Sequence, residues 1–378
     1  MPAPRTHARI AARTLELTTF RNYPQLRLDL DGRCCVVTGP NGAGKTNLLE
    51  ALSLLVPGRG LRRAALRDLP QAGAGGFTVF ARFATPDGER AVGTSLAAGA
   101  ERREVHVDGM AIPTSSRLAE ITAAVWLTPA MDRLFVEGTA SRRRFLDRLV
   151  HAGDPTHARQ LARYEHLIRE RSKLLRGGHQ DGDWLTSLER QAAEAGTAIA
   201  AARLEVTTEL NRRLAARATP FPVARLHVRG EVEERLRHQA AIDVEDWLSH
   251  GLAGCRDDDR LTGGARIGPH RSDLEVHDVE LASPAGRLST GRQKALLVGL
   301  VLAESHLGRD RSGRWPLLLL DEVGAHLDRR RRSELVHEIL ATGAQAWLTG
   351  TEPDGFEPLE GHAQFLTVDQ AKVMFDDR

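Results

Sequence analysis

The sequence predicts an α/β fold: a P-loop nucleotide-binding head with an antiparallel β subdomain and a short helical arm inserted into it. Three observations predict it. A strand-like run, Cys34-Cys35-Val36-Val37-Thr38, enters a glycine-rich loop and leaves it as a helix, Asn47-Leu48-Leu49-Glu50-Ala51-Leu52. Far downstream, Leu317-Leu318-Leu319-Leu320 closes on two carboxylates, Asp321-Glu322. Between them lie about 275 residues, many more than a compact P-loop domain needs, and a long part of that stretch repeats with helical period.

The loop reads Gly39-Pro40-Asn41-Gly42-Ala43-Gly44-Lys45-Thr46, the spacing G-x-x-x-x-G-K-[ST]. Its glycines let consecutive backbone N–H groups wrap a phosphate at a helix N-terminus. Lys45 then reaches the β- and γ-phosphates, and the Thr46 hydroxyl serves Mg²⁺. A chance glycine-rich turn is the alternative, and the strand before and helix after the loop argue against it.

At 378 residues the chain exceeds one ordinary core, so one large domain with an insertion, or two domains, is expected. No apolar run approaches the roughly 20 residues of a membrane span, and Met1-Pro2-Ala3-Pro4-Arg5-Thr6-His7 lacks the apolar segment of a signal peptide. A soluble cytoplasmic protein, with no membrane partner, is therefore expected. Cys34, Cys35 and Cys255 form neither a disulfide framework nor a C-x-x-C metal site. A net charge of +2 is too weak to force nucleic-acid binding, so DNA affinity must come from local patches. Aromatics at 4% argue against a base-stacking platform but leave a backbone-tracking surface open.

In chain order, residues 14–18 and 26–30 alternate as half-buried strands, with Phe20-Arg21-Asn22-Tyr23-Pro24 as their turn. The loop's helix ends near Pro57-Gly58. Arg62 and Arg63 in the basic loop behind it are candidate DNA or phosphate contacts, with a solvated surface pair as the alternative. Strands at 77–83, 91–96 and 104–107, then the turn Asp108-Gly109 into 110–112, make an antiparallel meander. The buried-looking Ala124-Val125-Trp126-Leu127 follows, and a helix starts near Gly138.

From about Ser141 to Thr219 the period is helical. Leu161, Tyr164, Leu167, Ile168, Arg171, Leu174 and Leu175 make one stripe, and Arg176 to Gly182 breaks it. A second helix, N-capped by Asp183, carries Trp184, Leu188, Ala192, Ile199, Val206 and Leu214 on one face. At about 1.5 Å per residue it reaches on the order of 50 Å, giving either a projecting hairpin or an ordinary helical subdomain. After Pro220 and Pro222 come a strand at 223–229, a helix at 243–252 and a charged loop, Arg256-Asp257-Asp258-Asp259-Arg260, that reads as solvated. His270 and Arg271 either face phosphate or are a turn residue and a surface cation.

The unbroken run Leu317–Leu320 suits a central parallel strand buried on both faces. Asp321 at its end would hold the Mg²⁺ shell as a Walker B element, and Glu322 would orient and deprotonate the attacking water. Lys45 and Glu322 are the candidate catalytic residues. Leu288-Ser289-Thr290-Gly291-Arg292-Gln293-Lys294 opens a helix and resembles the signature motif of ABC-type ATPases, which contacts the γ-phosphate held by the opposite protomer. Gly324-Ala325-His326-Leu327-Asp328 resembles their D-loop. Residues 346–352 read as the last core strand, offering Thr349 and Thr351 where transporter ATPases usually place a switch histidine.

With these residues assembled, the chain resembles the RecF family of DNA replication and repair proteins, related to the SMC/Rad50-like ABC-type ATPases. The resemblance runs through Phe20-Arg21-Asn22-Tyr23, Gly39 to Ala51, Arg142-Arg143-Arg144-Phe145-Leu146-Asp147, Gly268-Pro269-His270-Arg271, Ser289 to Lys294 and Asp321-Glu322. Arg292 departs from the family's S-x-G-Q-Q wording, and Ala130-Met131-Asp132 replaces its usual Pro-Glu-Asp. The resemblance implies a head of residues 1–136 and 263–378 around an arm of 137–262. It also implies an ATP-dependent homodimer that binds gapped or junction DNA and works with RecR and RecO to load RecA. Lys45, Thr46, Asp321 and Glu322 would act in cis and Ser289 and Gly291 in trans, with Gln293 and Asp328 also at the nucleotide. Arg21, Arg62 and Arg63 are the candidate DNA contacts. An ABC transporter ATPase would lack the long helical insertion, and an SMC-like bridging protein would need far longer arms.

Overall fold

The computed structural model describes residues 8–112, 115–154, 156–177, 182–216, 220–325, 327–353 and 355–376. The opening seven residues, the breaker at 178–181, Thr219 and His326 lie outside the described residues. Two compact units divide the chain: Met1–Asp132, Thr219–Phe221 and Ser289–Arg378 form one, and Arg133–Ala218 with Pro222–Leu288 form the other. The arm therefore runs past the expected boundary at 262, because a strand at 273–278 pairs back inside it.

The first unit opens with β1 (Ala11–Phe20), β2 (Tyr23–Asp29), β3 (Cys34–Thr38), α1 (Lys45–Leu54), β4 (Phe77–Thr85), β5 (Gly88–Leu96), β6 (Glu104–Val107), β7 (Met110–Ala111) and β8 (Ala124–Leu127). Six of these form an antiparallel sheet in the order β2-β1-β4-β5-β6-β7. Alternation drives it: Phe77, Val79, Ala81 and Phe83 are buried, while Thr78 and Arg82 between them are exposed.

The second unit comprises α2 (Thr139–His151), α3 (His157–Arg176), α4 (Gly182–Ala216), β9 (Ala224–Arg229), α5 (Glu231–Leu236), α6 (Ala241–Gly254), α7 (Arg256–Thr262), β10 (Asp273–Asp278) and β11 (Ser283–Pro284). The stripes of α3 and α4 share a core in which Tyr164, Leu167, Leu188 and Ile199 meet Val244, Leu248 and Leu252 of α6. The hairpin is thus part of a subdomain with its own core. Asp183 lies in the first turn of α4, where its charge suits the helix dipole, and does not cap it. The expected charged loop at 256–260 is α7. Asp259 is buried there because the Arg171 guanidinium, itself fully buried, donates to it at 2.7 Å and to Glu189 at 2.9 Å.

The resemblance-bearing arm motifs knit that unit together. Arg142 makes a bidentate pair with Asp273, both bonds 2.8 Å. Asp147 is held by Arg203, which also donates to the Pro269 carbonyl at 2.6 Å. His270 bonds the Tyr164 hydroxyl at 2.7 Å, and Arg271 bonds the Ala265 carbonyl at 2.8 Å, so both brace the loop at 265–272. Burial lowers the His270 pKa, which keeps the ring neutral at physiological pH.

The chain returns as α8 (Thr290–Ser312), β12 (Leu317–Leu320), α9 (Arg329–Thr342), β13 (Ala346–Thr349), β14 (Ala363–Asp369) and β15 (Lys372–Asp376). A second sheet runs β15-β14-β3-β13-β12-β8, with every neighbouring pair parallel except β14 and β15. Every residue of β3, β12 and β13 is buried, the pattern of strands covered on both faces. The strand at 346–349 is interior and not the last, since β14 adds beside β3. The carboxyl ends of β3, β12 and β13 lie together at one edge, where doubly wound sheets bind ligands.

Breaking one partner of the buried Arg171 network should cost about 3 kcal/mol, because the guanidinium loses a carboxylate it cannot replace with water. Asp259→Ala is therefore expected to lower the urea unfolding midpoint clearly; an unchanged midpoint would refute that role.

Candidate nucleotide site

The loop after β3 takes its shape from three glycines at positive φ: Gly39 at 139°, Gly42 at 81° and Gly44 at 121°. A Cβ on Gly39 would sit 2.1 Å from the Val368 carbonyl oxygen, so only glycine fits between β3 and β14. Lys45 opens α1, is buried, and donates from Nζ to the carbonyls of Gly39 at 2.7 Å and Pro40 at 2.9 Å. Burial lowers its pKa, against the attraction of Glu322 and Asp321.

Asp321 directly follows β12 with its carboxylate almost fully covered. The Thr46 hydroxyl lies 2.9 Å from both of its oxygens, and the Thr349 hydroxyl donates to Oδ1 at 2.7 Å. Thr349 Oγ1 in turn accepts the Glu322 N–H at 2.8 Å. Glu322 has a φ of 48°, a left-handed conformation that costs of order 1 kcal/mol for a residue with a side chain. Thr349 thus fixes the backbone of the candidate base while bonding the candidate metal ligand. Of the two threonines that sequence offered at this strand end, Thr349 is the one bonded to the site.

The turn between β1 and β2 supports the loop from outside. Asn22 Nδ2 donates to the Ala43 carbonyl at 2.8 Å, and the Tyr23 hydroxyl to that of Gly44 at 3.1 Å. Asn47 donates to Asn22 at 2.7 Å, and Arg62 donates to Asn47 at 2.7 Å and to buried Glu50 at 2.9 Å. Arg21 grips Glu50 with two bonds of 2.8 and 2.7 Å. Two of the three candidate DNA-contact arginines therefore neutralise a buried carboxylate on α1; Arg63 is exposed. Sequence reasoning left Asn22, Tyr23 and Glu50 off the site, because a polar turn and a helical glutamate carry no signal of their partners.

Ser289 sits at the N-terminus of α8, exposed, and makes no side-chain capping bond. Gly291 is half-buried and Gln293 buried in the same helix start. Asp328 caps α9, accepting the Arg331 N–H at 2.8 Å. Lys294 is buried and donates to both oxygens of Asp132 at 2.7 and 3.0 Å, a pair the sequence did not suggest.

A parallel sheet carrying a P-loop and an acidic strand end, with an antiparallel sheet in the same unit and an arm inserted between β8 and α8, defines an ABC-type ATPase head of the SMC class. The fold of an SMC head bound to the C-terminal winged-helix domain of ScpA matches with a TM-score of 0.54 at 14% identity, over 97% of each chain. The family model for the RecF/RecN/SMC N-terminal domain matches residues 11–370. The DNA replication and repair protein RecF of Mesorhizobium japonicum is 47% identical over 364 residues, covering 95% of this chain and 96% of that one. Its counterpart in Rhizobium etli is 46% identical over 369 residues, 97% and 99% of the two chains. The chain belongs to the RecF family. A solved structure of the recombination mediator protein RecF-ATP in the RecFOR pathway has the same fold, with a TM-score of 0.84 at 21% identity over 98% of this chain and all of that one.

Lys45→Met is expected to abolish ATP binding while leaving the melting temperature equal or higher, because a buried ammonium costs more than a buried thioether. Calorimetry with and without ATP checks both halves. Thr349→Val keeps the shape but removes both hydroxyl bonds; it should cost about 1–3 kcal/mol in stability, read by urea unfolding, and slow single-turnover hydrolysis more than ATP binding.

Proposed function

We propose that this chain is an ATP-dependent DNA-binding recombination mediator. It dimerises on ATP, binds gapped or junction DNA and, with RecR and RecO, promotes RecA loading, and slow hydrolysis releases it. The observation that carries the ATPase half is the hydrogen-bonded set Thr46–Asp321–Thr349–Glu322 beside the P-loop. The family membership supports the rest.

Thr46 Oγ1 and the Asp321 carboxylate are hard oxygen donors within 2.9 Å of each other, which suits Mg²⁺. Among the described residues no cluster of three or more His, Cys, Asp or Glu side chains could hold a metal alone, so this pair fits an ion that arrives on the phosphates. When bound, Mg²⁺ neutralises charge on the β- and γ-oxygens. The loop N–H groups and Lys45 bind those phosphates. Glu322, its backbone pinned by Thr349, accepts the proton of the attacking water. Ser289 and Gly291 of a second copy close the site over the γ-phosphate, while Gln293 and Asp328 line the same seam. Arg62 and Arg63, both exposed, are proposed DNA contacts, and largely covered Arg21 supports the loop through Glu50. No helix among the described residues is long and apolar enough to cross a membrane.

Binding to gapped DNA against plain duplex, with and without ATP, tests the proposal; no stimulation by ATP would defeat it. Glu322→Gln should slow turnover by about 10²–10⁴ and let ATP-bound dimers accumulate, as removal of a general base does. Normal hydrolysis by that variant would move the base elsewhere.

A further inference from the structure

The ion pair between Lys294 and Asp132 joins residues 162 apart in sequence. Each stands beside a point where the chain passes between its two units. Asp132 is the last residue of the first stretch of the nucleotide unit, and Lys294 follows five residues after Ser289, where the chain re-enters it. The turn that carries Asp132 starts directly after Leu127, whose carbonyl accepts the Asp321 N–H at 2.8 Å. Met131 N–H closes that turn onto the Thr128 carbonyl at 2.9 Å. A short run of covalent and hydrogen bonds therefore leads from the backbone of the Walker B aspartate, through Leu127 and Asp132, to Lys294 and the start of α8.

Ser289 gives no capping bond to its own helix, so its hydroxyl is not committed there. Lys294 is 2% exposed and Asp132 26%, so parting them would strand a buried ammonium, and the pair favours one placement of the helix over small displacements.

We infer that Lys294 and Asp132 are positioning residues: they hold Ser289 and Gly291 in the orientation that the nucleotide of a second copy requires, and they link that orientation to Asp321 of the same chain. The inference rests on the composite-site reading above.

The test compares the wild-type chain with K294M, K294R, D132N and the double variant K294M/D132L. It measures binding of a fluorescent ATP analogue, dimerisation by light scattering in ATP, and the urea midpoint. K294M and D132N should bind nucleotide within about twofold of wild type yet need at least about tenfold more protein to dimerise. K294R, which keeps the charge, should dimerise as wild type. The double variant removes both charges, so its fold stability should recover while its dimerisation stays weak. Dimerisation restored in the double variant, or undiminished in K294M and D132N, would overturn the role of the pair. A wild-type chain that stays monomeric in ATP would instead overturn the composite site.

Discussion

The buried Asp321 carboxylate is the constraint on which the nucleotide unit depends. A carboxylate at 2% exposure must be satisfied by the protein, and here hydroxyls do it, one from α1 and one from β13. Those bonds tie Asp321, just past β12, to the start of α1 and the end of β13, so the phosphate loop and the candidate hydrolytic residues share one frame. Hydroxyls neutralise no charge, however. The site keeps a negative charge at Asp321 and a desolvated cation at Lys45, held by carbonyl dipoles and not by a salt bridge of its own. In the proposed function a nucleotide with its metal would supply both missing partners at once, so groups that are unfavourable alone would favour binding.

The arm solves the same problem in the opposite way. Its buried charges are paired with charges: Arg171 with Glu189 and Asp259, and Arg203 with Asp147 and Glu233. Burial at 0–2% for both arginines leaves no room for a ligand to replace those partners. The motifs that carry the family resemblance therefore divide by physical role. Those at the P-loop and Walker B strand end would, in the proposed function, hold charge for a ligand, whereas Arg142 to Asp147 and Gly268 to Arg271 hold the arm in shape.

What could be read from sequence follows the range of the interaction. The P-loop, the four-leucine strand and the alternating β4 are set by neighbours a few residues away, and their chemistry is written in consecutive letters. In α7 Asp257 and Asp258 are solvated as their sequence suggests, but Asp259 is buried, because Arg171, 88 residues earlier, is brought to it. Residues 363–376 carry ordinary strand alternation but no motif, so β14 and β15 were not anticipated. Lys294 and Asp132 lie in motifs noticed for other reasons, and only the fold makes them partners.

The basic loop behind α1 shows how far such long-range bonds change the reading of a residue. Arg62 Nη1 donates to Asn47, Asn47 to Asn22, and Asn22 to the Ala43 carbonyl inside the phosphate loop. Arg62 is about two-fifths exposed, so part of its guanidinium remains open to solvent while the rest is committed to Asn47 and Glu50. A phosphate that drew Arg62 outward would compete with Glu50, a carboxylate that would keep Arg21 but lose one of its two cations. Surface arginine and phosphate loop are thus joined by three hydrogen bonds, made by groups that cannot be left unpaired without cost.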